Sequence, residues 1–278
     1  MRYKKSGGGF WCQAAGVVAL GVLLLAVSAV RGTDICREKD LTRIPDTAFA
    51  NRTVGAAAQQ GGQSSAEKIV CLTFDDGPSS TTESILETLR QEQVPATFFV
   101  IAAENNRKYL PLVAQESAEG HQIALHSATH EYKQIYQSAE SYWQDLEELK
   151  AQLSAYIDPD GISYLRFPGG STNTVSRKYG GSEVMKQLKR QAQEKGYHYI
   201  DWNVCAEDAA GGHPSAGEIY RNITKEAEGQ SVCVVLMHDT AATKNTARAL
   251  PDVIDWFREQ GYRFCTVEQM DRLCAENG

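Results

Sequence analysis

From Lys68 to the C-terminus, short apolar runs alternate with longer stretches whose apolar residues recur at helical spacing, and this rhythm limits the possible folds severely. Repeated strand-helix units of this kind build parallel sheets with helices packed outside. The apolar runs predict strands over 69–74, 96–101, 121–125, 163–167, 197–202, 232–237 and 262–265. Helical spacing predicts helices over 82–91, 109–119, 139–157, 182–195, 216–228 and 247–260. Gly120, Gly196 and Gly261 each stand between a helix and a strand, where a left-handed terminal residue is expected. The expected class is α/β, as a barrel or an open parallel sheet.

The first 66 residues have a different character. Residues 1–9 form a basic tail beginning Met1-Arg2-Tyr3-Lys4-Lys5, followed by an uncharged, mostly apolar stretch from Phe10 to Val30. At about twenty residues this stretch can cross a bilayer as one helix. The basic residues ahead of it should stay cytoplasmic, which puts the rest outside the cell membrane. In the competing reading Val27-Ser28-Ala29 is a signal-peptide cleavage site and the chain is secreted. Residues 31–66, with the low-complexity run from Ala56 to Ser65, read as a flexible linker, and residues 67–278 as the folded domain.

The net charge of −7 disfavours nucleic acid as a partner, because phosphate binding needs clustered Lys and Arg. Six cysteines lie beyond the apolar N-terminal stretch: Cys36, Cys71, Cys205, Cys233, Cys265 and Cys274. Export permits disulfides, and Cys265 with Cys274 is the first pair to test. Cys71 and Cys233 sit within apolar runs and are expected as buried thiols.

The chemistry-bearing residues fall at the ends of predicted strands, the edge where barrel active sites form. Asp75 and Asp76 end the first apolar run, and neighbouring strand residues point to opposite sides. One carboxylate can then bind a metal while the other handles a proton. His126 and His130 are spaced so that two imidazoles can converge on one ion, and Asp76 would complete a His2Asp set with positions left for water and substrate. Such a set takes zinc first, with cobalt, nickel or iron as alternatives. His238 closes a later apolar run.

In this order the segments resemble the polysaccharide deacetylases of carbohydrate esterase family 4, the NodB-homology domain. The resemblance covers about Lys68 to Cys274. It implies a distorted (β/α)7-type barrel of the glycoside hydrolase–deacetylase kind. The family motif TFDDGP stands unchanged at Thr73 to Pro78, which implies Asp75 as general base and Asp76 as metal ligand. H-S/T-x-x-H stands as His126-Ser127-Ala128-Thr129-His130, implying two histidine ligands. RxPxG is Arg166-Phe167-Pro168-Gly169-Gly170; the arginine would orient Asp75, and a backbone N–H near Gly169 would face the oxyanion. LxH is Leu236-Met237-His238, implying His238 as general acid and Leu236 as a wall of the acetyl pocket.

The fourth motif departs from the family pattern. DxxDW is here Cys205-Ala206-Glu207-Asp208-Ala209, so Asp208 is retained to pair with His238 while Cys205 and Ala209 replace the other Asp and the Trp. Trp202 is a candidate to fill part of the lost pocket wall. Asp208 is expected to raise the pKa of His238, and Arg166 to keep Asp75 ionised. The resemblance implies a metal-dependent deacetylase of N-acetylglucosamine units in a cell-surface polysaccharide. Peptidoglycan is the nearest such polymer if the chain is membrane-tethered. Chitin-like polymers, poly-N-acetylglucosamine, acetylated xylan, a non-sugar amide, or a catalytically inactive carbohydrate-binding module are the alternatives.

Overall fold

The computed structural model describes residues 67–276. The assigned membrane helix (10–30) and linker (31–66) lie outside the described residues; among those described, no helix is long and apolar enough to cross a membrane.

Among the described residues, eight strands run in parallel: β1 (Lys68–Asp75), β2 (Thr97–Ile101), β3 (Gln122–Ser127), β4 (Tyr164–Leu165), β5 (His198–Tyr199), β6 (Val204–Cys205), β7 (Val232–His238) and β8 (Tyr262–Phe264). Among the same residues, nine α-helices accompany them: α1 (Thr82–Glu92), α2 (Pro111–Ala118), α3 (Tyr132–Ile135), α4 (Ala139–Leu153), α5 (Val175–Gly180), α6 (Val184–Glu194), α7 (Ala216–Ala227), α8 (Lys244–Glu259) and α9 (Val267–Glu276). The strand order is β5-β4-β3-β2-β1-β7-β6, with β8 beside the first half of β1.

The expected barrel takes the form of a curled half-barrel: among the described residues no strand pairing joins β5 and β6, the two edges of the sheet. Their connection forces the sheet to curl. Seven strands laid flat would separate these edges by about 29 Å at about 4.8 Å per strand, whereas the chain from Tyr199 to Val204 reaches at most about 18 Å. The segment between them spans the gap, with Ile200 N–H donating to Leu165 and Asn203 N–H to Val234.

Alternation along the strands divides the apolar residues into two cores. Val70, Leu72, Phe74, Phe98, Val100, Cys233, Val235 and Met237 face the helices, and Ile69, Cys71, Phe99, Ala124, Tyr164, Val234 and Leu236 fill the barrel. Val267 and Met270 of α9 close the barrel's amino end, where Val267 N–H donates to Thr97 Oγ1 and Glu268 N–H to Gln122 Oε1. Gly120, Gly196 and Gly261 have φ of 87°, 78° and 77°, the left-handed values expected at those junctions.

The differences from the sequence expectations have local causes. Pro111 starts α2 after a separate 3-10 turn at Arg107–Tyr109, so one expected helix becomes two pieces. β6 is two residues long, too short for an apolar pattern, and α9 is a helix beyond the last predicted strand. Cys265 and Cys274 are free thiols rather than a pair. Both pack with Cys71 in and around the barrel core, where burial raises the Cys71 thiol's pKa well above its ordinary value. Cys233 is a buried thiol as expected, and Cys205 is disulfide-bonded.

Candidate active site

Asp75, His126 and His238 are inward-facing residues at the carboxyl ends of β1, β3 and β7, and Arg166 directly follows β4. Asp75 and His238 are register partners on adjacent strands. The period of two that fills the barrel with apolar residues therefore ends, one layer above Leu236, in a ring of titratable groups.

Asp76 leaves the strand with a φ of 68° and is steadied by Asn106, whose side-chain amide donates to the carbonyls of Asp76 and Pro78. Its Oδ1 lies 3.5 Å from His126 Nε2 and 3.2 Å from His130 Nε2, and it is buried with no hydrogen-bond partner. Two donor atoms about 2.1 Å from one tetrahedral ion are about 3.4 Å apart, so this spacing fits a divalent cation. The tautomer fits as well. His126 Nδ1 is 2.7 Å from the Arg166 carbonyl, which fixes the proton there and leaves the Nε2 lone pair free. Burial lowers the His126 pKa to about 3, so the ring stays neutral.

His130 is turned toward this point by a clamp on the loop between the two histidines. The Asp145 carboxylate, on α4, accepts hydrogen bonds from Ser127 Oγ, Ala128 N, Thr129 N and Thr129 Oγ1 at 2.6, 2.8, 3.1 and 2.7 Å. Ser127 Oγ in turn accepts from His130 N–H at 2.8 Å, and His130 adopts a left-handed φ of 55°.

Arg166 is fully buried, its guanidinium 4.1 Å from the Phe99 ring centroid and 5.6 Å from that of Trp202. One terminal nitrogen donates to Asp75 Oδ1 at 2.7 Å and to Thr73 Oγ1 at 2.9 Å, and its other nitrogens reach the carbonyls of Ile200 and Asp201. Burial is the larger effect on Asp75 and raises its pKa, while Arg166 acts in the expected direction, lowering it in favour of the ionised form, without reversing the shift.

Asp208 grips His238 twice, accepting from its backbone N–H at 2.8 Å and lying 2.8 Å from Nδ1, while Thr246 Oγ1 donates to the same carboxylate. Burial disfavours charge on His238, but the Asp208 carboxylate outweighs it and the pKa is raised to about 9, in the direction expected.

The remaining predicted residues lie around these groups. Gly169 and Gly170 have φ of 78° and 85°, and a Cβ on Gly170 would come 3.1 Å from the Trp202 ring. Asp201 braces this turn by accepting from Ser171 N and Oγ. Trp202 is buried with Leu236 in the barrel core, and its indole Nε1 has no hydrogen-bond partner. Tyr132, Asp145 and Thr246 were missed in the sequence. Asp145 sits in a helix rich in charge, and nothing in its spacing marks it out.

A family model described as polysaccharide deacetylase matches residues 62–197. A peptidoglycan-N-acetylglucosamine deacetylase of Bacillus cereus is 31% identical over 206 residues, which cover 71% of this chain and 68% of that protein. The catalytic domain of peptidoglycan N-acetylglucosamine deacetylase from Eubacterium rectale superposes with a TM-score of 0.68 at 36% identity, covering 76% of this chain and 93% of that one. A Streptococcus mutans CE4 esterase superposes at 0.63 with 27% identity, covering 72% and 86%.

Proposed function

The chain belongs to the polysaccharide deacetylase family, and from that premise we propose that this hydrolase removes acetyl groups from N-acetylglucosamine units of peptidoglycan with the help of one divalent metal ion. The observation that carries the metal reading is the unpartnered Asp76 Oδ1 set between two imidazole Nε2 atoms. Zinc is the ion proposed for this set, which Asp76, His126 and His130 would hold. A cation there polarises an amide carbonyl and makes water more acidic.

The chain's own residues then divide the proton traffic. Asp75, made more basic by burial and fixed in direction by Arg166, takes the proton of the attacking water. His238, charged at neutral pH through Asp208, gives a proton to the departing nitrogen. The Gly169 N–H faces the oxygen on which charge develops, and Leu236 and Trp202 border the acetyl end. The products are acetate and a free amine.

The peptidoglycan assignment draws support from the names of the Bacillus and Eubacterium relatives and from the apolar segment at residues 10–30, which would tether the domain beside the wall as a single-pass membrane protein. Acetate release by the zinc-loaded chain from de-O-acetylated peptidoglycan, N-acetylchitotetraose and acetylated xylan tests it. Release at least tenfold faster from the first is expected. Release from xylan alone, or from none, overturns the reading.

A further inference from the structure

Tyr132 begins α3, two residues beyond His130, and no part of the proton traffic above uses it. Its ring meets the His130 imidazole edge-on with centroids 5.3 Å apart, and the charges of both Asp76 and Asp75 act on it. A Cβ built on Gly169 would come 3.2 Å from the Tyr132 hydroxyl, which therefore occupies the space a side chain at that position would fill. The tyrosine is 8% exposed, yet among the described residues its hydroxyl makes no hydrogen bond to the protein. The Gly169 N–H likewise donates to no acceptor among them.

A hydroxyl and a backbone N–H without protein acceptors, on adjoining residues and beside the His130 imidazole, are suited to stabilising a developing oxyanion. We propose that the Tyr132 hydroxyl is a catalytic hydrogen-bond donor to the acetamide oxygen, acting with the Gly169 N–H. The inference rests on the deacetylase reading. As water oxygen bonds to the carbonyl carbon and Asp75 takes a water proton, the C=O electron pair moves onto oxygen, where Tyr132 donates a hydrogen bond and keeps its proton. When that pair returns, the C–N bond breaks and the nitrogen takes its proton from His238.

The test is Y132F in the zinc-loaded full chain, which removes the hydroxyl and leaves the ring against His130. We expect kcat on N-acetylchitotriose to fall on the order of 10²-fold, the scale for one oxyanion donor, with KM and bound zinc within about twofold of wild type. A phosphonamidate mimic of the tetrahedral species should weaken by the same factor, while N-acetylglucosamine binding holds. An active wild type with an equally active Y132F overturns the role of Tyr132 alone. So does a loss that tracks lost zinc, because Tyr132 would then be holding His130. An inactive wild type overturns the deacetylase reading and this role with it.

Discussion

Asp75 and Asp76 are chemically identical neighbours given different surroundings by half a turn of backbone. Asp75 ends its strand facing inward onto Arg166, whereas Asp76 takes a left-handed φ and turns to the imidazoles. D75N and H238A should each lower turnover on the order of 10²- to 10⁴-fold while zinc content stays near one per chain. H126A and H130A should lose the zinc, as metal analysis of the purified variants would show. Equal zinc loss in all four would contradict the division of roles. In the proposed mechanism protonated His238 is the loaded acid, and its raised pKa of about 9 would keep it loaded below that pH. Activity should therefore fall as pH climbs through about 9. In D208N the carboxylate that raises the pKa is gone, and the alkaline limb should move down by a unit or more in the pH profile of kcat.

At the scale of elements, β3 supplies His126, the loop after it supplies His130, and α4 fixes that loop through Asp145. Replacing Asp145 by Ala strips four acceptor contacts from the loop, and zinc affinity should drop about 10- to 100-fold, the range seen when outer partners of a metal site are removed. A titration showing unchanged affinity would mean that the loop keeps its shape unaided. The strands that carry the site were legible because each apolar run is long enough to show its period and ends on a polar residue. β1 and β7 follow their predicted bounds to within a residue at each end. The short elements were not. β6 places Asp208 through two strand residues, and α3 carries Tyr132 on a single turn, lengths at which no hydrophobic pattern exists to be read. Asp145 was invisible for another reason: its partners are backbone N–H groups and hydroxyls, which leave no mark on sequence spacing. The net upward shift at Asp75 was not legible because sequence shows that an arginine is near but not how much water the barrel excludes.

Over the whole domain, among the described residues, the buried carboxyls of Glu116 and Asp239 stand outside any function described. Glu116 on α2 is fully buried, neither carboxyl oxygen has a partner, and burial pushes its pKa well above the ordinary carboxylate value, with Asp239 adding to the shift. An acid whose folded pKa is raised holds its proton better folded than unfolded, so its contribution to stability falls as pH rises above the unfolded value near 4.5. E116M should stabilise the domain at pH 7.5 by about 1–3 kcal/mol in urea unfolding, and by less at pH 4.5. A gain independent of pH would show that the carboxyl's charge is not the cost. The proposed metal binding would add a larger effect, since an ion at 1,000 times its dissociation constant stabilises a folded chain by about 4 kcal/mol. The most direct measurement of the central claim is a calorimetric zinc titration of the metal-free chain. One ion per chain should bind below micromolar concentration, and none in H126A under the same conditions. No binding by the wild type, or undiminished binding by H126A, would contradict that claim.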